Sequence, residues 1–260
     1  MVSYETLLVD VADRVATITI NRPDKRNALN AAVRREIIEA LDHFSSDDNA
    51  RVIVITGAGD KAFIAGADIN EFAERTPVEQ RAVMAERRIF DEIAGFAKPV
   101  IAMINGFALG GGCEVALACD VRVAARSAKL GQPEIKLGII PGGGGTQRLP
   151  RMVGLGTAMR LILTGELIGA EEAAGLGLVD VLVDDAELRT RTYDIARAMA
   201  AHSPLTLRLA KAAIRGSEEM PLAAGLAYER ELFITAFGSN DKREGVAAFL
   251  EKRAAIFEGR

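Results

Sequence analysis

Val100-Ile101-Ala102-Met103-Ile104-Asn105-Gly106-Phe107-Ala108-Leu109-Gly110-Gly111-Gly112-Cys113-Glu114 changes character midway. Val100 to Asn105 is an apolar run of the length and composition of a strand buried on both faces. It runs on to a glycine triplet, after which the spacing predicts a helix carrying Glu114 one turn inside its start. The first N–H groups of a helix have no partner within it, and together they favour negative charge. A carboxylate placed there sits beside donors suited to an oxyanion. A second carboxylate, Glu134, follows Gly131-Gln132-Pro133 and precedes Pro141-Gly142-Gly143-Gly144-Gly145-Thr146. Both lie in apolar surroundings, where burial and like-charge proximity raise one pKa and leave the other group ionised. Taken alone, each glutamate also reads as a helix cap or a backbone acceptor.

Outward from this stretch the chain alternates strands and helices. Leu7 to Val11 and Val15 to Ile20 read as strands about a turn at Ala12-Asp13-Arg14. Asn30 caps a helix with apolar positions Val33, Ile37, Leu41 and Phe44. Val52 to Thr56 reads as a buried strand ending at Gly57, Pro77 to Phe96 as one helix, and Val121 to Ala124 as a short strand. From about Ala170 strands become scarce, and amphipathic helices are expected near 185–201, 204–216, 221–237 and 241–257, separated by breaks such as Ser203-Pro204 and Gly238-Ser239-Asn240. The order implies an α/β layered core followed by a helical region suited to packing or assembly.

At 260 residues, 49% hydrophobic and 26% charged, the composition is globular, and a net charge of −4 argues against a nucleic-acid partner. Cys113 and Cys119 fall on different faces of one helix, which disfavours a disulfide and fits a reducing compartment. With only His43 and His202 besides, no metal site is expected. Met1 to Asp10 has no basic or apolar leader, and no apolar run reaches the ~20 residues of a membrane span, so a cytoplasmic protein is expected. Gly57-Ala58-Gly59 lacks the third glycine of a dinucleotide fingerprint, position 62 being Ala62, and reads as a plain turn. P-loop and G-x-S-x-G patterns are missing. Cys113 has no histidine near it in sequence and reads as a small buried thiol. Ala65-Gly66-Ala67-Asp68-Ile69 lets a ligand approach the backbone closely, so that the N–H groups of Ala67 and Gly111 can converge on one carbonyl oxygen. It also reads as no more than a tight loop.

These segments occur together in a fixed order: Asn21-Arg22-Pro23, Asn27-Ala28-Leu29-Asn30, Ala65 to Ile69, Asn105 to Glu114, Gly131 to Glu134, Gly138-Ile139-Ile140-Pro141 and Gly142 to Leu149. In that order, over residues 4 to 257, the chain resembles the crotonase family, and enoyl-CoA hydratase within it. The resemblance implies a crotonase spiral of repeated ββα units over residues 1–198. It further implies a helical trimerisation region over 199–260 and a homohexamer built as a dimer of trimers. It implies a trans-2-enoyl-CoA substrate hydrated reversibly to 3-hydroxyacyl-CoA, coenzyme A being part of the substrate rather than a separate cofactor. The family's catalytic carboxylates fall on Glu114 and Glu134, and its oxyanion donors on the N–H groups of Ala67 and Gly111. Coenzyme A contacts fall on Ala65, Ala67, Asp68, Ile69, Asn70 and Gly111, with Lys25 and Arg26 toward the phosphates. The segment from Glu71 to Ile93 would cover the acyl pocket. The alternatives are an enoyl-CoA isomerase or a hydratase of a specialised acyl-CoA, and in a different class a noncatalytic acyl-CoA or RNA-binding protein. Retention of both glutamates beside an intact oxyanion loop favours the hydratase.

Overall fold

The computed structural model describes residues 4–260; Met1 to Ser3, the start of the stretch read for a leader, lie outside the described residues. Strands β1 (Leu7–Ala12) and β2 (Val15–Ile20) form an antiparallel hairpin, and helix α1 (Ala31–Ser46) follows, its start capped by the Asn30 side chain on the Val33 N–H. After it come β3 (Val52–Gly57), β4 (Ala62–Ile64), α2 (Pro77–Ala85) and α3 (Ile89–Gly95). The next turn is β5 (Val100–Ile104), β6 (Phe107–Leu109) and α4 (Gly111–Ala118). A third turn is β7 (Val121–Ala125), β8 (Lys129–Gly131), α5 (Gly145–Val153) and α6 (Leu155–Thr164). Then follow β9 (Leu167–Gly169), α7 (Ala170–Gly175), β10 (Val181–Val183) and α8 (Leu188–Ala200). The chain closes with α9 (Pro204–Glu219), α10 (Leu222–Phe237) and α11 (Asn240–Glu251).

Each of the three central turns gives its first strand to one sheet and its second to another. The larger sheet has the order β1-β2-β3-β5-β7-β10, parallel except for the hairpin; the smaller has the order β4-β6-β8-β9, with only β8 and β9 antiparallel. This is the repeated strand-strand-helix spiral. The larger sheet is covered on both faces, which explains its near-continuous apolar strands. Ile18, Ile53, Ile55, Ala102 and Ile104 point into the main core with α1 and α4, while Val52, Val54, Ile101, Met103 and Val123 pack against α8. Helix α9 is tied to the sheet through Asp120, which takes Lys211 at 2.6 Å and Arg215 at 2.9 Å while accepting the Val100 N–H at 2.8 Å.

Two expectations about helices need correction. The run from Pro77 to Phe96 is two helices, broken at Glu86 to Arg88 where the backbone is extended. α2 buries no side chain, whereas α3 buries Ile89 and Ile93, and one straight helix cannot both skirt the surface and enter the core. The last helix stops at Glu251 rather than 257, because Lys252 takes a left-handed conformation with its N–H on the Phe249 and Ala248 carbonyls. Two strands, β9 and β10, also flank the region around Ala170.

Candidate active site

The two glutamates come together on one cavity of about 1430 Å³. Glu114 lies in the first turn of α4, 3% exposed. Its Oε1 accepts the Gly143 N–H at 2.6 Å and the Gly145 N–H at 2.8 Å, so the carboxylate is gripped by the glycine run that follows Pro141. Burial raises its pKa; the two N–H bonds, then Arg88 and Arg148, oppose that rise without cancelling it. Glu134 sits on a 3-10 turn, Pro133–Leu137, less deeply enclosed. Its pKa is pushed up to about 7, first by burial and further by the charge of Glu114. Gln132 is fully buried beside it, and with its amide nitrogen toward the carboxylate it donates to Oε1 at 3.1 Å and Oε2 at 3.2 Å.

Two glycines are required by these carboxylates. Gly110 has φ +50°, and a Cβ there would stand 2.8 Å from Glu134 Oε1. A Cβ on Gly143 would stand 2.5 Å from Glu114 Oε2 and 2.6 Å from the Phe90 ring. A side chain at either position displaces the acid it faces.

The backbone N–H groups of Ala67 and Gly111 have no acceptor among the described residues, while the neighbouring Gly110 N–H is used on Gly131 O and the Asp68 N–H on Leu29 O. The two free donors are close, since a Cβ built on Gly111 would lie 3.7 Å from the Ala67 nitrogen. Leu29 spans them. Its backbone pairs with Ala67 in a parallel bridge, its N–H donates to Gly66 O at 2.9 Å, and its side chain touches Gly111. Asn27 anchors this segment in turn, its buried amide donating to Ala58 O and Ala62 O and accepting the Arg22 N–H. These supports, Asn27 and Leu29, belong to the Asn27-to-Asn30 motif, but pattern alone gave them no role. Asn105 holds Gly57 O and Gly59 O, consistent with a plain turn there.

Ala65, Ala67, Ile69, Gly111, Glu114 and Glu134 all line the cavity. Lys25, Arg26, Asp68 and Asn70 do not: Asp68 is engaged by Arg22 at 3.2 Å and Asn70 at 3.0 Å, and Lys25 and Arg26 are exposed around the 3-10 turn Pro23–Lys25. Cys113 is buried and its thiol pushed up to about 12 by loss of water, which leaves it unreactive. Among the described residues no three of His, Cys, Asp and Glu gather as metal ligands, and no helix is long and apolar enough to cross a membrane.

Residues 10–260 match the family model described as Enoyl-CoA hydratase/isomerase. The 2,3-dehydroadipyl-CoA hydratase of Escherichia coli is 46% identical over 98% of this chain and 99% of its own length. The short-chain-enoyl-CoA hydratase of Clostridium acetobutylicum is 41% identical over 95% of each chain. In three dimensions, the crystal structure of enoyl-CoA hydratase from Bacillus anthracis superposes with a TM-score of 0.95 at 41% identity, covering 98% of this chain and 100% of that one.

Proposed function

The chain belongs to the enoyl-CoA hydratase/isomerase family, and from that premise we propose that it adds water across the 2,3 double bond of a trans-2-enoyl-CoA to give the 3-hydroxyacyl-CoA. The observation that carries this reading is the pairing, on one cavity, of two carboxylates of unequal burial with two acceptor-free N–H groups.

The β-carbon of a conjugated thioester accepts water only if the thioester carbonyl can take up enolate charge. The N–H groups of Ala67 and Gly111 supply donors whose bonds strengthen as that charge develops, and losing one such donor typically costs about 10²–10³ in rate. Glu114 takes a proton from the water, whose oxygen bonds to the β-carbon while the π electrons move to the carbonyl oxygen. Glu134, holding a proton at pH values below about 7, delivers it to the α-carbon. Each proton that leaves one carboxyl is restored at the other, and because the two groups interact, the formal protonation belongs to the pair.

Coenzyme A belongs to the substrate, and no separate cofactor enters this scheme. Its pantetheine and adenine portions follow the Ala67 to Asn70 loop, and Lys25 and Arg26, exposed beside that loop's partner segment, meet its phosphates. The described residues up to 198 form the catalytic spiral and 199–260 an assembly region for a cytoplasmic homohexamer of two trimers. Large exposed side chains on the last helices, among them Phe233 at 66% and Phe249 at 83% exposure, support that assignment.

The test is the loss of the conjugated enoyl absorbance of crotonyl-CoA. The parent is expected to turn over, and Glu114→Gln and Glu134→Gln each to lower kcat by roughly 10³-fold. Absence of turnover by the parent with crotonyl-CoA and longer enoyl thioesters, despite acyl-CoA binding, removes the hydratase reading.

A further inference from the structure

Five arginines line the cavity, and four of them already hold carboxylates. Arg34 meets Glu71 at 2.6 Å, Arg35 meets Glu39 at 3.6 Å, Arg75 meets Glu71 at 4.0 Å, and Arg87 meets Asp42 at 2.8 Å and Glu92 at 2.7 Å. Arg88 has no carboxylate within 4.0 Å among the described residues. It is half-buried, its guanidinium 5.7 Å from the centroid of the Phe90 ring, with one nitrogen donating to the Gly142 carbonyl. A guanidinium has five N–H donors arranged to receive a carboxylate through two parallel bonds, and most of them are unused here.

Local structure does not account for an arginine at this position. Arg88 is the N-cap of α3, where Ser, Thr, Asp or Asn would satisfy the helix and a cation opposes the dipole, and its side chain makes no capping bond. A residue that breaks a local rule without local compensation points to a role in the site.

The position of Arg88 defines what it meets. In the proposed reaction the thioester carbonyl sits at Ala67 and Gly111, and the β-carbon at Glu114. Gly142, to which Arg88 donates, adjoins Gly143, which holds Glu114, and Phe90 borders Gly143. The chain beyond the β-carbon therefore runs past Glu114 toward Arg88, along a lining that includes the apolar Val83, Met84, Ile139 and Ile140 beside Gln80, Glu86 and Arg87. A plain alkyl end would strip water from the guanidinium and return nothing.

Resting on the hydratase reading, we infer that Arg88 receives the terminal carboxylate of a short dicarboxylic trans-2-enoyl-CoA, and so sets the enzyme's preference for ω-carboxylated over plain acyl chains. The fork geometry makes lysine an incomplete substitute.

The experiment compares 2,3-dehydroadipyl-CoA with trans-2-hexenoyl-CoA, on parent, Arg88→Gln and Arg88→Lys proteins matched in circular dichroism and elution volume. The parent is expected to favour the dicarboxylic substrate in kcat/KM by at least about tenfold. Arg88→Gln should lower the ratio of kcat/KM on the dicarboxylic over the neutral substrate about 10²-fold, mostly through KM, with Arg88→Lys in between, while any loss that passes through Glu114 falls on both substrates alike and cancels in that ratio. The pH profile should move upward alike on both substrates, since Arg88 also opposes the rise of the Glu114 pKa. A parent preferring the neutral chain, or equal losses on both substrates, overturns the inference and leaves Arg88 as a prop for Gly142. Calorimetry with adipyl-CoA and hexanoyl-CoA separates this from the chemistry. Tighter binding of adipyl-CoA, abolished in Arg88→Gln, without turnover of either enoyl substrate would retain the carboxylate site and sink the hydratase reading.

Discussion

Glu114 and Glu134 share a cavity but are held by different means. Glu114 grows from a regular helix at the centre of the fold and is pinned by two main-chain N–H groups from a loop some thirty residues on. Glu134 stands on a short 3-10 turn, is held among the described residues by its own backbone and Gln132, and has its pKa pushed up to about 7. Two carboxyls of one chemistry thus acquire two characters: one fixed in direction by donors to its charged form, the other left able to keep a proton. The difference suits a base that must aim a water and an acid that must exchange a proton.

The sharpest way to break that contrast is to disturb each grip in turn. Gly143→Ala places a methyl 2.5 Å from Glu114 Oε2 and 2.6 Å from Phe90; with the base displaced by a fraction of its length, kcat on crotonyl-CoA should fall about 10²-fold with KM little changed. Gly110→Ala meets Glu134 at 2.8 Å and also strains a φ of +50°, at roughly 1–2 kcal/mol. It should lower both Tm and kcat, so a variant with normal Tm and reduced kcat would mean that the strain is absorbed at the turn.

A smaller effect concerns electrostatic coupling. Replacing Glu114 by Gln removes a charge that raises the Glu134 pKa, so Glu134 should titrate below about 7 yet stay above 4.5, since burial is the larger cause. Infrared difference spectra of Glu114→Gln against the double variant with Glu134→Gln read that carboxyl directly. An unchanged midpoint would show that the two groups do not sense each other.

The smallest effect is on stability. Below pH 4.5 the Glu134 carboxyl is protonated both folded and unfolded; between 4.5 and about 7 only the folded chain keeps the proton, so stability falls as pH rises through that window. Glu134→Gln should therefore be more stable to thermal unfolding than the parent at pH 8, by roughly 1–2 kcal/mol after allowance for solvent screening, and nearly equal to it at pH 4. Equal gains at both values would assign the effect to packing rather than charge.

Most of the larger sheet was legible in the sequence because its strands, β10 apart, are long enough to show their pattern: Val15 to Ile20 alternates β-branched residues, Val100 to Ile104 is a continuous apolar run, and Asn30 announces α1. The strands β4, β6, β8 and β9 are three residues each and contain too few positions to display any period. The break at Glu86 to Arg88 was hidden because neither glycine nor proline marks it. The glutamates stood out by their glycine contexts. Asn27 and Leu29 did not, because their function is to hold main-chain atoms that lie far away in sequence. Arg88 falls in the charged segment from Glu71 to Ile93, and nothing in a linear pattern reveals which of several arginines has no carboxylate partner among the described residues.

The bridge between Leu29 and Ala67, and the grip of Gly143 and Gly145 on Glu114, join segments 29 or more positions apart. Such pairings close long loops and so form late, after local helices and the hairpin of β1 and β2 have gained their own contacts. The chain can reach most of its helix content and a collapsed core while both donors and both acids are still out of place. In this architecture, secondary structure is expected to return early on refolding and competence for chemistry late, once the parallel strands have found their register.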